Sequence, residues 1–490
     1  MDAQAPLPPE IWEHTPPVAQ AMILAQATVL AQLRAEVAQL KATVEELTQR
    51  LRRHSRHSSQ PPSADPPPAR IRSRREPSGR RPGGQPGHEG QTRALVPVEA
   101  VDGLMPVKPM QCPRGQHPWR GEDLQPQRHQ VAERPPVKPV ITESQRHRLV
   151  CPACGEATRA ELPRGVPTGE FGPRVQAITA LCTGAYHLSK RTTHCVMEDL
   201  FGLPMSLGTI ATLDEATAQT LTAPVAEARA YGQAPPVAYL DETGWREGQQ
   251  RAWLWTAVTA WVTVVVGRRS RGRKVAQERL GERLWGWLVT DRWSAYTWYP
   301  SWRRQLCWAH RLRDLAALLD RGGPSREIGE AVRAQAHQMF PWWHRVRDGT
   351  LRHASFASSM WPIRREVERW LDAGQTCGVP KTEGTCRAIL TRRQALWTFV
   401  RHPGGAPTNH AAARAMRPGV LWRKGRFGTH SPEGSRFVEA LMTVVATLKQ
   451  QHRNVLDDLT AACEAALCGE QAPSLLPTPD QFTACMRPAA

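Results

Sequence analysis

VAYLDETGW (237–245) and GWLVTDRWSAY (286–296) decide how this chain folds. Each is an apolar run of strand length that reaches an aspartate, Asp241 in the first and Asp291 in the second. Two carboxylates carried on strand ends are what a two-metal phosphoryl-transfer site needs. Mg²⁺ prefers hard oxygen ligands, and paired ions can steady both the attacking and the leaving oxygen of an in-line displacement. An aspartate at a strand end is also a common turn or cap residue, and Glu242, next along the strand from Asp241, should face the opposite way and be structural.

Working outward, the apolar runs 237–243, 252–259 and 261–267 are joined by Gly- or Arg-containing turns and predict an antiparallel meander. A basic helix from Arg273, the strand into Asp291, a short strand at 305–309 and a helix over 310–319 follow. That order is the order of an RNase H-like α/β core, whose first part is placed at 233–320. Residues 321–400 read as a helical insertion containing Trp342, Trp343, Trp361, Trp370 and Trp397. Residues 401–470 read as the C-terminal helices of the core, broken by a basic connection, WRKGR (422–426), in which Arg423 and Lys424 suit phosphate contact. A tail, 471–490, closes the chain.

Upstream, 166–232 reads as a helical DNA-binding region. Helix from LSKRTT (188–193), Gly-containing turn LFGLPMS (200–206) and helix from LGTI (207–210) resemble a helix-turn-helix, with Lys190 and Arg191 at a polar helix start. Within 99–165, CPACG (151–155) is half of a zinc knuckle. Cys112 and His117 can supply the other two ligands to Cys151 and Cys154, which makes this a small zinc-ribbon-like module or a β-rich module that has lost its metal. Residues 54–98 are rich in Pro, Gly, Ser and Arg and poor in large apolar residues. They predict a disordered basic tether in which Arg72, Arg74 and Arg75 can track phosphates.

Residues 20–53 carry a heptad. Ile23, Leu30, Val37, Val44 and Leu51 fall seven apart, and Leu33, Leu40 and Leu47 form the second row. β-branched residues in one row and leucine in the other favour a parallel two-stranded coiled coil, hence a homodimer or higher. The alternative is one amphipathic helix packed on its own chain. Residues 1–19 are expected to be a disordered start. The whole is a multidomain α+β chain.

The chain has 490 residues and a formal net charge of +19, so a polyanionic partner is expected, although GC-rich coding accounts for part of the arginine count. No apolar run of about eighteen residues or more is present, which argues against a membrane span. The N-terminus lacks the pattern of a secretory signal, and eleven scattered cysteines suit reduced thiols, so a cytoplasmic place is expected.

LDETGWREGQQRAWLW (240–255), TDRWSAYTWYPSWRRQLCWAHRLRDL (290–315) and PTNHAAARAMRPGVLWRKGRFGTHSPEGSRF (407–437) resemble the corresponding segments of bacterial insertion-sequence-66 family transposases, in order and spacing. The resemblance implies a DDE transposase of the bacterial nucleoid. It would act on double-stranded DNA with Mg²⁺ or Mn²⁺ and with helper proteins from the same element. Asp241 would be the first acid and Asp291 the second. The CxxH-type signature falls on Cys307 and His310, with Arg313 following, where DNA contact or core packing is expected. The third acid belongs to an Asn-x-x-x-Glu-Arg motif; Asn409 and Arg414 match it, but Ala413 occupies the acidic position. Loss of such a group costs several kcal/mol, about two to five decades in rate. Three readings stay open: a substituted catalytic acid, an inactive or domesticated DNA binder, or service by Glu433 or Glu439. A junction-resolving nuclease of the same fold would need neither the heptad nor the tether.

Overall fold

The computed structural model describes residues 8–51, 94–109, 114–115, 121, 123, 125–133, 135–233, 235–281 and 286–477. Proline opens the first two helices, α1 (Pro9–Glu13) and α2 (Pro17–Leu51). A residue without an N–H loses nothing in a first helical turn. Helix therefore occupies part of the segment expected to be a disordered start. The heptad lies on α2, and the chain does not bury it: Leu30, Leu33, Val37, Leu40 and Val44 are 47–64% exposed. The tether lies outside the described residues up to 93. A small antiparallel hairpin follows, β1 (Arg148–Val150) with β2 (Ala157–Arg159).

The helical region holds α3 (Pro173–Ala180), a π-helical turn (Leu181–Ala185), α4 (Lys190–Phe201), α5 (Leu207–Thr220) and α6 (Thr222–Tyr231). Ser189 and Ser206 cap α4 and α5 by accepting the N–H groups of Thr192 and Thr209, each at 3.0 Å. Gly202, at φ 62°, ends α4 in the left-handed region that glycine tolerates best. Asp214 on α5 is buried and accepts the Thr183 hydroxyl at 2.7 Å. Its burial pushes the carboxyl up to about 6, against the pull of the Thr183 hydrogen bond and of Lys190 and Arg426.

The main sheet follows the meander anticipated from the sequence. β3 (Val237–Glu247), β4 (Gln250–Val258) and β5 (Thr263–Arg268) are antiparallel, α7 (Arg273–Leu280) crosses over, and β6 (Trp287–Thr290) and β7 (Arg304–Leu306) run parallel to β3. The order is β5-β4-β3-β6-β7, a mixed sheet with β3 at its centre. One face is covered by α14 (His410–Arg426) and α15 (Pro432–Gln450), whose Met416, Phe437, Val438 and Leu441 share a core with Leu254, Val262, Val264, Val265 and Val266. Gly419 lets α14 approach closely, since a Cβ there would meet Leu254 Cδ2 at 2.4 Å.

The helix after β7 starts at Trp308, two residues earlier than expected, as α8 (Trp308–Arg321). The insertion is helical as read: α9 (Gly323–Arg347), α10 (His353–Ala373), α11 (Pro380–Leu390), α12 (Arg393–Leu396) and α13 (Thr398–Arg401). It has its own core of Ile328, Met339, Phe356, Val367, Trp397 and Phe399 packed on Leu306 and Trp308. The expected basic connection at 422–426 is instead the last turn of α14, which Phe427 ends at φ 63°. Cations at a helix C-terminus are stabilised by the dipole, so that run need not break the helix. After α16 (Val455–Leu467) the chain folds back: Leu475 is buried, and its carbonyl accepts Gln451 Nε2 at 2.7 Å. The start of the expected tail is therefore packed. Among the described residues no helix is long and apolar enough to cross a membrane.

Asp214 gives the fold a measurable pH signature. Its folded pKa of about 6 lies above the ordinary 3.8, so the folded state holds the proton more tightly. Its contribution is full below about pH 4 and is lost as pH rises through 6. Relative to the native chain, Asp214→Asn should gain up to about 3 kcal/mol between pH 4 and 7 in urea unfolding. A pH-independent difference would contradict this assignment.

Candidate active site

The parallel pairing of β3 with β6 matches Val237 with Trp287, Ala238 with Leu288 and Tyr239 with Val289. Carried two residues further, the same register sets Asp241 level with Asp291 on the neighbouring strand. Asp241 is not at the end of β3, which runs six residues beyond it; it stands where the shorter β6 gives out. Burial, and then the charges of Glu242 and Asp291, push the Asp241 carboxyl well up, against a hydrogen bond from the Glu242 N–H at 3.0 Å. Asp291 Oδ1 accepts the Trp293 N–H at 2.8 Å, which closes the turn after β6.

Three residues that the sequence reading did not place in the site hold that turn. Arg304 on β7 is buried and donates to Asp291 O at 2.6 Å, Thr290 Oγ1 at 2.9 Å and Tyr296 O at 3.1 Å. Glu242, expected to face away from Asp241, is tied to the site: it accepts from the Tyr296 hydroxyl and pairs with Arg271 at 2.7 Å. Arg271 also stacks on Trp293 at 3.9 Å and Trp253 at 4.9 Å, and its carbonyl accepts Trp293 Nε1. Burial and the charge of Asp291 raise the Glu242 carboxyl, while Arg271 and Tyr296 draw it back. Arg271 thus acts as a counter-charge to two of the three clustered acids, Asp241 and Glu242. Only the partner geometry reveals this, because Arg271 sits in a loop with no pattern of its own.

Position 413 lies in the first turn of α14. Asn409 precedes the helix, is buried, and donates Nδ2 to Leu240 O at 2.7 Å, one residue before Asp241. Ala412, Met416 and Gly419 face the sheet, whereas Ala413 is exposed. The two substitute acids are occupied elsewhere. Glu439 accepts the Gly267 N–H at 2.9 Å and pairs with Arg229 at 3.0 Å, and Glu433 pairs with Arg436 in the exposed first turn of α15. Among the described residues no group of three or more His, Cys, Asp or Glu side chains is arranged to hold a metal ion.

The other anticipated residues separate into groups. His310 and Arg313 lie on α8 and Arg414 on α14, close enough for their charges, with that of His410, to act on one another. Burial, then Arg313, Arg311 and His410, press His310 down to about 3, and its Nδ1 is buried without a partner. Cys307 packs between the same helices and accepts the Asn409 N–H. Lys190 and Arg191 are exposed at the start of α4, and Lys424 is exposed on α14. Arg423 is turned inward, donating to Thr243 Oγ1 at 2.9 Å and Gly244 O at 2.7 Å. Cys151 and Cys154 sit in the turn between β1 and β2, where backbone N–H groups of Cys154 and Ala153 lower the Cys151 thiol. Cys112, His117, Arg72, Arg74 and Arg75 lie outside the described residues.

A carboxylate pair on adjoining strands of a mixed sheet, in a strongly basic chain, has the character of a nucleic-acid-processing protein. Residues 168–436 match the family model of the Transposase IS66 family, more than half of the chain, and the chain belongs to that family. A second model, a family of unknown function (DUF6444), matches residues 13–94. No curated protein matches the chain.

The Arg271 clamp can be tested directly. Arg271→Met strands the buried Glu242 charge and should cost about 3 kcal/mol in urea unfolding. Adding Glu242→Gln should recover much of that loss. Equal stability of the single variant and the native chain would remove the clamp.

Proposed function

We propose that this transposase binds the terminal repeats of its element and acts on DNA by metal-dependent strand cleavage and 3′-hydroxyl strand transfer, on an RNase H-like core. The observation that carries the reading is the β3–β6 register, which sets Asp241 and Asp291 side by side within the region matched to the family. These two carboxylates fit divalent cations: they are close, mutually repelling and oxygen-only, and they would hold Mg²⁺ or Mn²⁺. Such ions, when bound, offset charge developing at phosphorus and activate the nucleophile, water and then the 3′-hydroxyl. Arg304 and Arg271 keep the Asp291 turn in register, and Asn409 fixes the start of α14 against the strand that carries Asp241.

Ala413 offers a methyl group where the family motif has a carboxylate, so cleavage by the chain as written is impaired. The engagement of Glu433 and Glu439 elsewhere disfavours either as a stand-in. A second reading, a catalytically inactive, domesticated DNA-binding protein of the same ancestry, is favoured by the same methyl group. Ala413→Glu separates the two. With Mg²⁺ or Mn²⁺ it should raise cleavage of cognate ends by about two decades or more over the native chain. Unchanged cleavage with intact binding would favour the domesticated protein, and robust cleavage by the native chain would show that another acid serves.

The exposed heptad on α2 supports a homodimer through a parallel coiled coil. Deleting residues 1–51 should lower the mass measured by light scattering; an unchanged mass would refute the seam. Cys151 and Cys154 suit one half of a tetrahedral Zn²⁺ site, with Cys112 and His117 proposed as the other half. Helper proteins and a place on the bacterial nucleoid follow only from the family.

A further inference from the structure

The last turns of α6 and α7 each carry an arginine, Arg229 and Arg279, where the helix dipole favours a cation. Both line a cavity of about 90 Å³ against the sheet, walled by Leu240, Trp255, Ala257 and Val264. The strand pairings align Leu240 with Ala257 and Ala257 with Val264, so three adjoining strands give it an apolar floor. Among the described residues that line it, none is acidic. The Nε atoms of both arginines are buried and meet no acceptor among the described residues. Their carboxylate partners are engaged through Nη2. Arg229 pairs with Glu439 at 3.0 Å, and Arg279 shares Glu278 Oε1 with Arg268, at 2.5 and 2.9 Å. Three guanidiniums therefore meet two carboxylates in this cluster. Burial, and then the charge of Arg268, press the Arg279 guanidinium down; Glu278 draws it back, and Arg229 adds to the repulsion. The Arg279 side chain is 12% exposed and that of Arg229 36%, so solvent reaches the cluster alongside Arg229.

We infer that this cavity is a binding site for a small, weakly hydrated inorganic monoanion of the halide or nitrate class, held by Arg229 and Arg279. Guanidinium groups are donors only and stay charged, so they cannot satisfy one another. Water would accept their N–H groups but would leave one positive charge in excess among the described residues. A monoanion supplies both the acceptor and the missing charge. The apolar floor sets the class, because a dianion such as sulfate would lose far more hydration than two guanidiniums return. At about 10–15 Å³ for one water, the cavity has room for a halide with a water or for one nitrate. Seated there, the anion joins α6, the last helix of the helical region, to α7 and to β3, where Asp241 follows Leu240. This site goes beyond the DNA and metal chemistry proposed above and needs neither.

The test uses the full chain, with bromide as the probe. Thermal unfolding is followed while sodium gluconate, whose anion is too large for the cavity, is exchanged for sodium bromide at constant ionic strength. Bromide should raise the midpoint saturably, by about 2 °C or more. Nitrate should do the same, and sulfate should not. Arg279→Gln should abolish the rise. Arg273→Gln, which removes the same charge from the exposed start of α7, should keep it. A crystal soaked in bromide should show an anomalous peak within hydrogen-bonding reach of both Nε atoms, and this measurement decides the matter if the Arg279→Gln chain does not fold. Equal bromide responses of the native chain and the folded Arg279→Gln variant would overturn the site, as would a soaked crystal without that peak. A rise with sulfate that depends on Arg279, without one for bromide, would overturn the monoanion assignment.

Discussion

Three parallel residue pairs between β3 and β6 set the site, because a one-residue slip would turn every side chain on β6 to the other face. The register is fixed from both sides. Ala238, Leu240 and Leu288 are fully buried on the central strands, so a slip would expose apolar surface and bury polar groups. Arg304, from the edge strand β7, ties the end of β6 to the turn that follows. Two carboxylates that repel one another are therefore held together by packing and by the hydrogen bonds that close the turn at Asp291.

That repulsion has a cost which the surroundings offset only in part. Asp241, Glu242 and Asp291 form one electrostatic cluster with Arg271 as a counter-charge, and burial adds to the penalty on the charged forms of Asp241 and Glu242, which hold their protons more tightly. Arg271 balances Glu242 without neutralising the pair, since its guanidinium is engaged by Glu242 and stacked between Trp253 and Trp293. The division of labour is physical: Glu242 and Arg271 stiffen the loop beside the pair, and neither of them joins Asp241 to Asp291.

Much of this was legible in the sequence. Strand-length apolar runs bounded by turn residues gave the meander and its order, and Ser189, Gly202 and Ser206 marked the helix boundaries of the region upstream. The part that was not legible depends on partners distant in sequence. Arg271 and Arg304 look like any other arginines until Trp293, Glu242 and Asp291 are brought to them. Alternation turns Glu242 away from Asp241, but it says nothing of a loop arriving from β5. Composition makes the WRKGR run look like a connection, yet basic residues at a helix C-terminus lower the free energy of the helix that they end. In the first nineteen residues Pro9 and Pro17 stand at helix starts, where a missing N–H costs nothing.

Position 413 shows why a single methyl group changes more than a ligand count. A glutamate in the first turn of α14 would meet a helix dipole, Arg414 and His410, all of which stabilise negative charge. The same surroundings that would hold a carboxylate in its ionised form, ready for a cation, become an unopposed positive surface when the carboxylate is absent.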